Sequence, residues 1–137
     1  MSADLTLELR QAIVAHLRGF AGLQALWDQR FYGEKPPTEP LKPFGRYGYD
    51  DMAPFNPECI SGGSVNVTIH TFTQGDSTDT LKRINAQVIE ALEDTKLDLD
   101  GGGWCYDLSF VRSDTLPDGI DGWHGVIRFN ALTGKDS

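Results

Sequence analysis

"SVNVTIHTFTQGDSTDTLKRINAQVIEAL", residues 64 to 92, changes its hydrophobic period halfway along. Val65, Val67 and Ile69 alternate with Asn66, Thr68 and His70. That period of two marks a strand with one buried and one polar face. From Leu81 onward the apolar residues are Leu81, Ile84, Val88, Ala91 and Leu92, at helical spacing. Lys82, Arg83, Gln87 and Glu90 fall largely on the wet side. A half-wetted strand suits an antiparallel or mixed sheet better than a parallel one covered on both faces. The strand and the amphipathic helix after it set the class, with helices packed on one face of a sheet.

The joint between them, "TFTQGDSTDTL" (71–81), invites a chemical reading, because phosphate pockets and nucleophiles often sit at such turns. Its own residues argue against one. Asp76 and Asp79 would repel an anion and suit the positive end of a helix. Asp76, Ser77 or Thr78 can satisfy the orphan backbone donors of the first turn. The nearest cations, Lys82 and Arg83, come a turn later. A capped helix after a glycine turn is the expectation.

Toward the N-terminus, Leu5, Leu9, Ala12, Ile13, His16 and Leu17 form another helical stripe, with Ser2 or Asp4 as cap and Gly19 as stop. "FAGLQALW" (20–27) adds one short helical turn through Leu23, Leu26 and Trp27. The four prolines of "GEKPPTEPLKP" (33–43) exclude helix interior and central strand. "FGRYGYD" (44–50) reads as a short strand, and "DMAPFNPECISGGS" (51–64) as loop. A connection that long in a small domain tends to be functional.

Toward the C-terminus, "DLDGGG" (98–103) reads as a turn. In "WCYDLSFV" (104–111), Trp104, Tyr106, Leu108 and Phe110 alternate with Cys105, Asp107 and Ser109. In "WHGVIRFNAL" (123–132), Ile127 and Phe129 alternate with Arg128 and Asn130. "SDTLPDGIDG" (113–122) has turn chemistry throughout, so the two strands are expected to pair as a hairpin with a long acidic tip. The expected fold is one α+β domain over residues 1–137. Two main helices pack on one face of a roughly four-stranded antiparallel or mixed sheet, in the order α-β-β-α-β-β, with long loops.

A chain of 137 residues matches one domain with a sizeable core. Its net charge is −8 and its basic residues are scattered, whereas tight nucleic-acid binding needs them clustered. No apolar run approaches the ~20 residues of a membrane span. "MSADLTLELR" lacks the basic-then-apolar order of a secretory signal, so nothing argues for export. Cys59 and Cys105 are expected as free, half-buried thiols.

Catalytic and metal motifs do not appear. His16, His70 and His124 are isolated and fit no metal spacing. An EF-hand loop begun at Asp98 would put Gly102 at position five, and Ser109 where the bidentate Glu belongs. "ISGGS" is followed by no GK[ST], and there is no GxSxG around Ser61 or Ser64. No catalytic residue, cofactor or metal ligand is expected. The competing enzyme or ligand-binding reading would need a pocket where His70 and His124 approach the start of the second main helix.

The order of these motifs resembles the tail-completion or tail-terminator family of long-tailed bacteriophages, prophages and gene-transfer particles. The likeness runs from "LTLELRQAIVAHL" through "VNVTIHTFTQG" and "TLKRINAQVIEAL" to the closing "DGIDGWHGVIRFNA". It implies a non-catalytic virion protein that forms a ring, usually a hexamer, on the last ring of the tail tube. Such a ring stops tube growth and presents a surface for head joining. The implied partners are other copies of the chain, the major tail tube protein and the head–tail connector or stopper protein. DNA would pass through without being gripped, and assembly would take place in the bacterial host cytoplasm. A head-side stopper or adaptor is the alternative within the class. Candidate subunit or tail and connector contacts are Arg46, Tyr47, Tyr49, Asp50, Asp51 and Phe55 in the long connection and its entry. Asp114, Asp118 and Asp121 in the acidic tip complete the set.

Overall fold

The computed structural model describes residues 2–55 and 60–136. Cys59, one of the two expected free thiols, lies outside them.

Two helices open the fold, α1 (Thr6–Gly19) and α2 (Ala21–Trp27). Asp4 Oδ1 accepts from the Thr6 amide and hydroxyl, which holds its carboxyl below the usual range. The short helical turn expected near Trp27 is thus a seven-residue helix. Strands β1 (Phe31–Tyr32), β2 (Phe44–Pro54) and β3 (Ile60–Gln74) follow, then α3 (Asp79–Leu92). Strands β4 (Leu97–Leu99), β5 (Gly103–Asp118) and β6 (Gly122–Asp136) close the chain. The sheet order is β1-β2-β3-β6-β5-β4, antiparallel except for the β1–β2 pair.

At the centre β3 and β6 pair without a break from Ile60↔Asp136 to Gln74↔Gly122. The odd-numbered positions of β3 face the helices, as the alternation predicts. Val65, Val67 and Ile69 are buried, and across the ladder Ala131, Phe129 and Ile127 lie on the same side. Leu9, Ile13 and Leu17 of α1, Leu23 and Trp27 of α2, and Ile84, Val88 and Leu92 of α3 close this core. Each such side chain contributes roughly 1.5–3 kcal/mol by leaving water. His16 ties two helices together, donating its Nε2–H to the Ala91 carbonyl at the end of α3, and the Thr95 hydroxyl donates to the same oxygen.

The sheet has six strands where four were expected. β1 and β4 hold two and three residues, too few to show a period, and "DLDGGG" contains two of the three residues of β4. The segment 51–64 was expected as loop, yet Asp51–Pro54 continues β2 and Ile60–Ser64 begins β3. Ser61, Gly62 and Gly63 carry almost no side chain with which to signal alternation, but they pair with Lys135, Gly134 and Thr133. Pro54 is tolerated because β2 is a sheet edge there. Likewise "SDTLPDGIDG" is mostly strand: β5 runs to Asp118, β6 starts at Gly122, and Gly119 turns between them with a φ of 72°. The alternation expected for "WCYDLSFV" breaks at a register shift between Cys105 and Asp107. The bulge lets both Cys105 and Leu108 face the core, while Trp104 and Tyr106 stay half-buried. Burial pushes the Cys105 thiol up to about 11, so it is an inert packed group.

Candidate assembly surfaces

Helices cover one face of the sheet, and the other carries a row of stacked rings. Cross-strand register sets Phe44 against Phe72, Phe72 against His124 and Arg46 against His70. The Phe44 and Phe72 rings stack at 4.7 Å, and those of Phe72 and His124 at 4.5 Å. His70 Nδ1 and His124 Nε2 are 2.8 Å apart, a bond in which one neutral ring donates to the other. Burial above all, then Arg46, His124 and Arg128, lowers His70 to about 4. Burial also lowers His124, against the opposing pull of Asp118.

The two histidines meet, but not at the start of α3 as the pocket reading required. The residue that reaches α3 is Thr71, on the inner face, whose hydroxyl donates to Asn85 Oδ1 at 2.7 Å. The clefts best formed on the surface, about 350 to 470 Å³ each, are lined by neither histidine. Among the described residues no three His, Cys, Asp or Glu side chains converge as a metal site. Nor is any helix among them long and apolar enough to cross a membrane.

The nine interface residues read from the sequence fall into two groups at opposite ends of the sheet. The first lies along β2. β1 covers β2 only at Gly45 and Arg46, so from Tyr47 to Pro54 its outer edge has no strand partner among the described residues. A register shift between Tyr47 and Asp50 splits neighbouring tyrosines. Tyr47 turns into the core and donates its hydroxyl to Asp50 Oδ2 at 2.9 Å; burial and that carboxylate push its pKa upward. Tyr49 turns out and is 73% exposed. Asp51 accepts from Asn66 at 2.9 Å, and the Phe55 ring lies against Tyr106 at 6.5 Å. Beside the bulge a cleft of about 410 Å³ is lined by Leu7 and Arg10 of α1, by Glu34 and Lys35, and by Arg46 and Asp50 of β2.

The second group lies on the β5–β6 hairpin. β4 covers β5 only at Gly103–Cys105, and the Asp94 amide donates to the Leu108 carbonyl. Beyond that point, Ser109 to Asp118 has no partner on its outer edge among the described residues. Asp114 is paired with Arg112 at 2.8 Å, which lowers its pKa. Asp118 and Asp121 are exposed near the tip, and their carboxylates make no ion pair or hydrogen bond among the described residues. The turn end of the hairpin is tied to the β3–α3 turn: the Gly75 amide donates to the Asp121 carbonyl at 2.7 Å, and Trp123 Nε1 donates to the Gly75 carbonyl at 3.0 Å. The Asp79 amide donates to the Ser77 hydroxyl, so Ser77 supplies the capping oxygen and the turn is occupied by its own chain.

Sequence reasoning missed five exposed apolar side chains, of which Leu41 lies in the proline-rich segment. Val111 (57%), Leu116 (45%) and Ile120 (100%) stand on the hairpin, and Leu7 stands on the rim of the β2 cleft. Ile120 carried a signal in its position, as an isoleucine between Gly119 and Asp121 in an acidic turn.

Comparison with known proteins extends these observations. A family model described as "Tail completion protein gp17" matches residues 11–134. A chain in the solved "Virion of native gene transfer agent (GTA) particle" is similar at 25% identity with a TM-score of 0.85. The match covers 97% of this chain and 99% of that one. No curated protein matches.

Proposed function

The chain belongs to the gp17 family of tail completion proteins, and on that premise we propose that six copies form a ring that caps the tail tube and offers the head connector its docking surface. Its role as a structural component of a phage-type tail follows from the family and from the near end-to-end match to a virion chain. The ring, its hexameric count and its place at the head–tail junction are the finer reading.

One observation carries that reading: among the described residues the sheet has two unpaired edges of different character. β2 is open from Tyr47 to Pro54 at one end, and β5 from Ser109 to Asp118 at the other. Edges of this kind are normally blunted, covered or paired. A contact between two unlike patches on identical subunits is head-to-tail, and if its rotation closes it generates a ring. The partners in this reading are other copies of the chain, the last ring of the tube protein, and the connector or stopper above. The part played is structural rather than catalytic. A net charge of −8 per copy lets DNA pass without being gripped. In this reading the protein sits in the virion at the head–tail junction, after assembly in the host cytoplasm.

Disrupting the gene tests the proposal. The expected particles have tails of uncontrolled length, or finished tails that never join heads. Normal, head-joined tails in electron micrographs would refute it. Finding the protein only on tail-less heads would replace it with the head-side adaptor reading.

A further inference from the structure

We propose that the acidic tip of the β5–β6 hairpin of one copy seats in the basic cleft between α1 and the β2 bulge of the next. This inference rests on the ring reading and names the contact that would close it.

The cleft and the tip complement each other in charge. Arg10, Lys35 and Arg46 line the cleft together with Glu34 and Asp50. Both carboxylates are already engaged. Glu34 is held by Arg10 at 2.7 Å, and Asp50 accepts from the Tyr47 hydroxyl at 2.9 Å. Lys35 and Arg46 have no ion pair or hydrogen bond among the described residues, so a cleft on a chain of net charge −8 presents spare positive charge. The tip presents the reverse, with Asp118 and Asp121 unpaired on either side of Ile120.

The apolar parts match as well. Ile120 is fully exposed at the turn, while Leu7 lines the cleft and Tyr49 stands exposed beside it. An isoleucine held open to water is an anchor of the kind that fills a neighbour's pocket.

Strand direction permits the contact without turning a subunit over. β5 runs antiparallel to β6, β6 antiparallel to β3, and β3 antiparallel to β2. β5 therefore runs antiparallel to β2, and copies set side by side in the same orientation bring β5 against the next β2 in that sense. The open stretches are similar in length, Ser109–Asp118 against Tyr47–Pro54. Laid antiparallel with Ser109 opposite Pro54, they bring Leu116 opposite Tyr47 and carry the hairpin tip on past Arg46.

Charge reversal and cross-linking in assembled particles test the docking. A strain lacking the gene is supplied with the full chain carrying Leu7→Cys and Ile120→Cys, and the particles are mildly oxidised. The expected result is a covalent ladder on a non-reducing gel that ends at the copy number of the ring, with no ladder from either single substitution. Asp118→Lys with Asp121→Lys is expected to reduce joined particles at least tenfold, and adding Lys35→Glu to restore them in part. Rings visible in micrographs, with no ladder and full assembly of the reversed chain, would overturn the docking and leave the ring reading intact. Particles carrying a single copy, or no ring, would overturn both.

Discussion

His70 and His124, fifty-four residues apart in the chain, share one hydrogen bond of 2.8 Å on the face of the sheet that the helices leave open. The bond requires at least one ring to stay neutral, and burial together with Arg46 disfavours a proton on His70. His70 titrates near 4 in the folded chain, against an ordinary value of 6.5. The unfolded chain therefore binds more protons between those two values. The contribution is whole above about pH 6.5 and is lost progressively as pH falls toward 4. Discounted for a half-exposed group, the loss is roughly 1–2 kcal/mol. His70→Gln is expected to flatten the fall in Tm between pH 7 and pH 5; an equally steep fall in the variant would contradict the assignment.

Gly125 lies opposite Thr71, where a Cβ would meet the Thr71 hydroxyl and the Asn85 amide. Gly125→Ala should force apart a buried hydrogen bond as well as overpack the core. The expected cost is about 2–4 kcal/mol, seen as a lower urea midpoint at unchanged m-value. A midpoint equal to wild type would show that the site has room to relax.

Trp27 is fully buried against Phe31 at 5.6 Å, and its indole N–H has no partner among the described residues. Trp27→Phe keeps much of the packing and removes the orphan donor, so it should cost less than about 2 kcal/mol. Trp27→Ala opens a cavity and should cost about 3–5 kcal/mol. Thermal unfolding of the two variants checks the ranking.

Ile120 touches little within its own chain. Ile120→Asp should leave stability within about 0.5 kcal/mol of wild type while sharply reducing the yield of joined particles. A parallel loss of stability and assembly would mean that the hairpin tip supports the fold itself.

The purified chain should not be retained by DNA, even at low salt, because its scattered cations neutralise few phosphates. Retention that weakens steeply with added salt would count against an acidic passage for DNA.

The sequence made the centre of the molecule legible and the rim illegible, for a physical reason. Val65, Val67, Ile69 and the α3 stripe announce themselves because one face of each element is buried and the other wet. Edge segments such as Thr115–Asp118 are wet on both faces, so their side chains show no alternation and their prolines and glycines look like turns. Gly62 and Gly63 are silent for the opposite reason, being buried without side chains. The candidate residues suffered the same division. Asp118, Asp121 and Tyr49 are exposed, whereas Tyr47 is turned inward by a bulge that nothing in the sequence marks. The pairing of His70 with His124 needed the β3–β6 register, a long-range quantity that no local pattern carries.

That register also fixes the order of events during synthesis. The strand that joins the two halves of the sheet, β6, follows the other five in the chain, and β3 must wait for it while α3, β4 and β5 are made. Contacts so distant in sequence form late and slowly. A chain interrupted before Gly122 would have neither a continuous sheet nor a hairpin tip. The two open edges therefore come to belong to one sheet only when β6 is laid between β3 and β5.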